Sequence, residues 1–105
     1  VDMVLDGPAG MVGVEVERAL LDLQAQLRAA QLKRTAMAER TGRTVRLVIG
    51  VLDTRRNRAA VLTHRSLLAA ALPVPSKRIW ACLRSGAPVL GDGLLWVRMP
   101  SRAAP

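Results

Sequence analysis

Two short segments with alternating apolar side chains open the chain. Residues 1–6 (VDMVLD) and 11–16 (MVGVEV) flank GPAG, a segment of turn-forming residues, and this pattern predicts a β-hairpin. With GPAG as the loop, Asp6 faces Met11 and Asp2 faces Glu15. The acidic side chains then share one face of the hairpin: Asp2, Asp6, Glu15 and Glu17. The apolar side chains share the other: Met3, Leu5, Val12, Val14 and Val16.

A helical period follows the hairpin. From residue 19 to about 40, apolar side chains recur every three or four positions without Gly or Pro: Leu20, Leu23, Leu27, Ala30 and Met37. Thr41 and Gly42 are expected to end this helix. The apolar run VRLVIGVLD at 45–53 predicts a central buried strand. The strand-helix-strand order implies a right-handed crossover and a sheet covered by helices.

Two further helices and a last strand complete the pattern. Thr54 is expected to cap a helix running to about residue 72, where Pro73 and Pro75 stop it. Ser76 is expected to cap a shorter helix at 76–85, which ends at Gly86. LLWVRM at 94–99 predicts a final strand. We therefore expect a small α/β domain, in which the hairpin, the central strand and the late strand form a mixed sheet covered by about three helices.

Composition narrows the class of protein. The 105 residues suit one domain, which we place at 1–100, with 101–105 as a tail. Trp80 and Trp96 are the only aromatics, and we expect them to be buried anchors. Cys82 is the only cysteine, which excludes an internal disulfide and a multi-cysteine zinc site and favours packing as its role. His64 has no metal-ligating neighbour in sequence and is expected at the surface. With no apolar run of ~20 residues, we expect a soluble cytoplasmic protein without membrane contacts.

Charge is distributed unevenly along the chain. The net charge is +8, yet residues 1–17 carry four acidic side chains and no Lys or Arg. Fourteen of the 16 basic residues are arginine, whose planar guanidinium suits bidentate phosphate contacts. The charge favours a polyanionic partner. The alternative is that arginine usage reflects a GC-rich genome and only solvates the helices.

A cluster of arginines begins the predicted second helix. Arg55, Arg56 and Arg58 follow Asp53 and Thr54 directly, where positive charge opposes the helix dipole. An anion bound at this helix N-terminus would reverse that unfavourable interaction. These three arginines are therefore candidate nucleic-acid ligands. A solvated basic turn is the alternative.

The acidic hairpin predicts a metal site. Asp2 and Glu15 on adjacent strands can together hold a hard divalent cation, Mg²⁺ or Mn²⁺. At these residues the chain resembles the PD-(D/E)xK nuclease-like domains, which carry an Asp on one strand and (Asp/Glu)-x-Lys on the next. It is similar in particular to the form found behind a helix-turn-helix in actinobacterial transcription regulators. The resemblance runs through VDMVLD, VGVEVERALLDLQAQL, VRLVIGVLDTRRNRAAV and GDGLLWV.

The resemblance carries expectations of its own. It implies a restriction-endonuclease-like sheet whose leading helix and first strand would precede Val1, so we expect a piece of a longer protein. By position, Asp2 and Glu15 match the metal-binding acids, and Glu17 stands where the motif has its catalytic lysine. Candidate substitutes and substrate contacts lie on the following helix: Gln24, Arg28 and Lys33.

Three functions stay open. The favoured one is a nucleic-acid-binding module of a DNA-binding regulator that does not cleave, because Glu17 would repel a phosphate. Such a module could also form a homodimer. The close alternative is a metal-dependent endonuclease with Asp2, Glu15 and Glu17 at its catalytic centre. The third is a protein-interaction or dimerisation domain, which the arginines disfavour.

Overall fold

The computed structural model describes residues 2–7 and 10–98. These residues form β1 (Met3–Gly7), β2 (Gly10–Glu17), α1 (Leu23–Thr41), β3 (Val45–Leu52), α2 (Arg55–Thr63), α3 (Arg65–Ala71), α4 (Ser76–Ser85) and β4 (Gly93–Val97). The strands make one sheet in the order β1-β2-β3-β4. β1 is antiparallel to β2, whereas β2, β3 and β4 are parallel. The chain is thus a small α/β domain, as predicted. The proposed tail at 101–105 lies outside the described residues.

The hairpin has the predicted register. Val4 pairs with Gly13 and Asp6 with Met11, and the amide of Asp2 continues the ladder by donating to the carbonyl of Val14 at 3.0 Å. The strands extend one residue further than expected on each side, so that Gly7 pairs with Gly10. Residues 8 and 9 of the predicted loop lie outside the described part.

The two faces of the sheet are covered by different helices. On one face, Leu23, Leu27 and Ala30 of α1 pack with alternate residues of β3 and with Leu68 and Leu72. On the other face, Ile79 of α4 packs with the remaining inward residues: Val12, Val48, Val89 and Leu95, with Cys82 at the margin. The side chains of β3 point alternately to the two faces of the sheet, and helices cover both faces. Nearly every residue of β3 is therefore buried, which explains its continuous apolar sequence.

The helix boundaries differ from the prediction in two places. α1 begins at Leu23 and not at 19, because the Asp22 carboxylate caps it by accepting from the Ala25 amide at 3.2 Å. The helix predicted from Thr54 to residue 72 divides at His64 into α2 and α3, so four helices are described and not about three. The Thr63 hydroxyl donates to the carbonyl of Ala59 just before the break, a contact that bends helices.

Two residues of α4 differ from their predicted roles. Ser76 does not cap α4, whose N-cap is Pro75; its hydroxyl instead accepts from the Trp96 amide at 3.0 Å. Trp80 is not a buried anchor, since 37% of it is exposed. It lies beside Ile79, the residue that α4 buries against the sheet, so its ring points to the margin. Among the described residues, no helix is long and apolar enough to cross a membrane.

Candidate nucleic-acid interface

Asp2 and Glu15 form an acidic pair where the hairpin passes under α1. The Asp2 carboxylate accepts a hydrogen bond from the Val16 amide at 2.7 Å, which fixes its position beside Glu15. This amide lowers the pKa of Asp2, burial opposes the shift, and contact with the Glu15 carboxyl and the charge of Lys33 lower it further. The two acids predicted from the hairpin register are therefore adjacent.

The acidic face of the hairpin is only partly exposed to solvent. Asp2 and Asp6 are exposed, whereas Glu15 is only 5% exposed, near α1, which packs over β3. The Lys33 ammonium lies 3.4 Å from the Glu15 carboxylate, with the lysine side chain about half exposed. Of the basic candidates on the helix after the hairpin, Lys33 is thus the one that stands beside Glu15.

Glu17 is held away from that pair. Its carboxylate accepts from the Gln26 side-chain amide at 3.0 Å, and the same amide group donates to the Ala19 carbonyl. Gln24 was predicted to contact substrate, but it lies on the exposed side of α1 together with Arg28, one turn later. Neither is brought to Asp2 and Glu15 by a described contact. The glutamine that reaches the acidic hairpin is Gln26.

The carboxylate oxygens of Asp2 and Glu15 are the type of ligand that a hard divalent cation prefers. Mg²⁺ is commonly held by one or two carboxylates, with water and substrate phosphate in its other positions. Within 2–7 and 10–98, no group of three His, Cys, Asp or Glu side chains converges on one point, so protein carboxylates alone would not fill the coordination shell. Asp2 and Glu15 would hold such an ion, with Lys33 beside it.

Five arginines gather where the parallel strands end. β2, β3 and β4 all finish at this edge of the sheet, so the residues that follow them come together there. We name this surface the basic edge and define it by Arg18, Arg55, Arg56, Arg58 and Arg98, all of which are exposed. In the described part of the chain, no salt bridge occupies the guanidinium groups of Arg18, Arg55, Arg56 or Arg98.

Arg58 has a different role from its neighbours. Its guanidinium donates two hydrogen bonds to the Asp53 carboxylate, at 2.7 and 2.9 Å, and lies 3.9 Å from the centre of the Trp96 ring. These bonds lower the pKa of Asp53 and raise the pKa of Arg58. Arg58 was predicted as a nucleic-acid ligand, but its charge is largely matched within the protein. It braces the edge on which Arg55 and Arg56 stand.

Asn57 holds the basic edge together and was missed as a site residue. It is only 2% exposed, and its side chain accepts from the Leu20 amide at 3.0 Å. Its amide group donates to the carbonyls of Arg18 and Leu52, each at 2.9 Å. The first turn of α2 is thereby fixed to the loop after β2 and to the end of β3. Thr54 completes the turn as the predicted N-cap, accepting from the Asn57 backbone amide.

Comparisons of the chain with protein-family models, curated protein sequences and solved structures give no significant match.

Proposed function

We propose that this domain binds nucleic acid through the basic edge and does not cleave it. The observation that carries the proposal is the convergence of Arg18, Arg55, Arg56 and Arg98 at the ends of three parallel strands. An open α/β sheet commonly binds its ligand at this edge, and the first backbone amides of α2 face the same way. Free guanidinium groups beside a helix N-terminus form a natural phosphate site.

The position of Glu17 supports the proposal that the domain does not cleave. Glu17 stands at the position of the motif lysine, and Gln26 holds its carboxylate, so a negative charge replaces the positive charge that would stabilise a reacting phosphate. A domain so arranged can serve as the nucleic-acid-binding part of a regulator, DNA being the favoured ligand. The lone Cys82 suits a reducing, cytoplasmic setting.

Salt-dependent binding tests the proposal. We expect the affinity for a DNA duplex to fall steeply as salt rises, because phosphate contacts release counterions. The double variant Arg55→Gln, Arg56→Gln should reduce the slope of log Kd against log salt by roughly two. A single-charge comparison controls for general charge: Arg40→Gln, which removes one exposed arginine near the opposite end of β3, should reduce affinity less than Arg56→Gln. Equal effects of the two variants would mean that general charge, and not the basic edge, drives binding.

Metal-dependent phosphodiester hydrolysis is the second candidate. One observation favours it: Asp2, Glu15 and Lys33 stand together, two carboxylates and a cation beside a basic surface. A bound metal would polarise a phosphate and activate water. The non-cleaving proposal predicts that supercoiled plasmid stays intact with Mg²⁺ or Mn²⁺. Nicking that disappears in Asp2→Asn, Glu15→Gln would replace our proposal with the nuclease.

A further inference from the structure

Trp80 is an exposed aromatic in a chain with only two. More than a third of it is accessible, and it belongs to neither core cluster that the two main faces of the sheet bury. Its ring N–H donates to the carbonyl of Trp96 at 3.1 Å, at the outer side of β4. The indole is therefore held in a defined position on the surface. Satisfying that one carbonyl does not require a large aromatic, because Ser76 satisfies the Trp96 amide with a hydroxyl.

Positive charges flank the exposed indole. Lys77 and Arg84 lie three residues before and four residues after Trp80, on the same side of α4, and both are exposed. In the described residues, no salt bridge engages either of them. An aromatic surface between two free cations suits a ligand that is itself aromatic and anionic.

Trp80 lies beside the end of β4, where the basic edge begins. Its ring N–H donates to the main-chain carbonyl of Trp96, and Arg98 directly follows β4. The Trp96 ring and Arg58 lie on the opposite face of the sheet, so the two surfaces meet at the end of this strand. A ligand on Arg55 and Arg56 that extends along the end of β4 would reach the indole.

We infer that Trp80 is a stacking platform for an unpaired nucleobase, so that the ligand of the basic edge contains a single-stranded stretch. The inference rests on the proposed function and adds its substrate class. Bases stack on aromatic side chains irrespective of sequence, while flanking cations hold the phosphates. A duplex does not offer the face of a base to a protein surface without unpairing.

Three probes of equal length separate base stacking from charge. They are a single-stranded oligothymidylate, an abasic single strand with the same number of phosphates, and a matched duplex. We expect the oligothymidylate to bind most tightly and the abasic strand about tenfold more weakly, the effect of stacking about one base. Equal affinity of these two probes for the unmodified protein would overturn the inference while leaving the proposed function intact.

Two substitutions separate the ring from its hydrogen bond. Trp80→Phe and Trp80→Leu both lose the bond to Trp96, but only Trp80→Phe keeps an aromatic face. We expect Trp80→Leu to bind oligothymidylate several-fold more weakly than Trp80→Phe, and both variants to bind the abasic strand equally. Equal affinity of the two variants for oligothymidylate would also overturn the inference. Failure of all three probes to bind the unmodified protein at low salt would overturn the proposed function as well.

Discussion

Asn57→Ala removes the side chain that ties α2 to the rest of the basic edge. The change leaves the Leu20 amide without its acceptor and the Arg18 carbonyl without the Asn57 donor, whereas the Leu52 carbonyl still accepts from the Thr54 amide at 2.9 Å. Each buried group left unsatisfied costs about 1–3 kcal/mol. Arg18 is exposed and water can reach its carbonyl, so we count one group, the Leu20 amide, and expect a loss of about 1–3 kcal/mol in the free energy of unfolding. A typical domain has about 5–15 kcal/mol in total.

Urea unfolding followed by circular dichroism measures this loss. The control is Thr63→Ala, because the Thr63 hydroxyl bonds only to a carbonyl of its own helix and its removal should change stability by less than about 0.5 kcal/mol. If Asn57→Ala costs no more than Thr63→Ala, the tie between α2 and the loop after β2 is not a stabilising contact, and our account of the basic edge is wrong.

Asn57→Asp tests the same contacts through the pH dependence of the free energy of unfolding. The new carboxyl keeps an acceptor for Leu20 but turns its other oxygen toward two carbonyls, and burial raises its pKa in the folded protein. A carboxyl with a raised folded-state pKa binds more protons in the folded than in the unfolded state, so stability rises as pH falls toward that pKa. The difference in stability between Asn57→Asp and the unmodified protein should therefore shrink from pH 7 to pH 5. A constant difference would contradict the burial of this side chain among carbonyls.

Two further predictions concern the charges around the site. Lys33→Met should lower the free energy of unfolding by about 1–2 kcal/mol, a value between those of exposed and buried ion pairs, because Lys33 is half exposed and Glu15 is buried. In a Glu15→Gln background the same substitution should change the free energy of unfolding very little. Equal losses in both backgrounds, measured by urea unfolding, would refute the pairing. Arg58→Gln should move the pKa of Asp53 up toward 3.8, as seen by NMR titration of the carboxyl group. The ion pair of Asp53 and Arg58 stabilises the folded protein above pH 3.8, and this stabilisation is lost as the pH falls through the lower pKa of Asp53 in the folded state. The unmodified protein should therefore lose more stability on acidification than the Arg58→Gln variant.

The elements with a strict period were predictable from sequence. The hairpin register followed from alternation and turn residues, because a one-residue slip would exchange its two faces. β3 followed from its unbroken apolar run, which is typical of a strand buried on both faces. The pairing of Lys33 with Glu15 was predictable only in outline. A helix that connects β2 to the parallel β3 must run antiparallel to both strands. Which of its side chains face the sheet depends on the residue at which the helix begins. Asp22 sets that start, in a segment whose apolar spacing resembles helix.

The residues that organise the site escaped prediction for physical reasons. Asn57 is polar and lies in a first helical turn, where such residues are usually exposed; its burial depends on the loop at 18–22 folding over it, which no local pattern indicates. Trp80 was assigned to the core because aromatics are scarce in this chain. Helical phase decided otherwise, since α4 packs through Ile79 and leaves the next position at the margin.

Amide NMR mapping tests the central claim most directly. Adding an oligonucleotide to the labelled protein should shift the amide resonances of the basic edge most, at Arg18, Arg55, Arg56 and Arg98, and leave residues 40–46 at the other end of the sheet unchanged. Shifts concentrated at 40–46, or none at either end at low salt, would contradict the account.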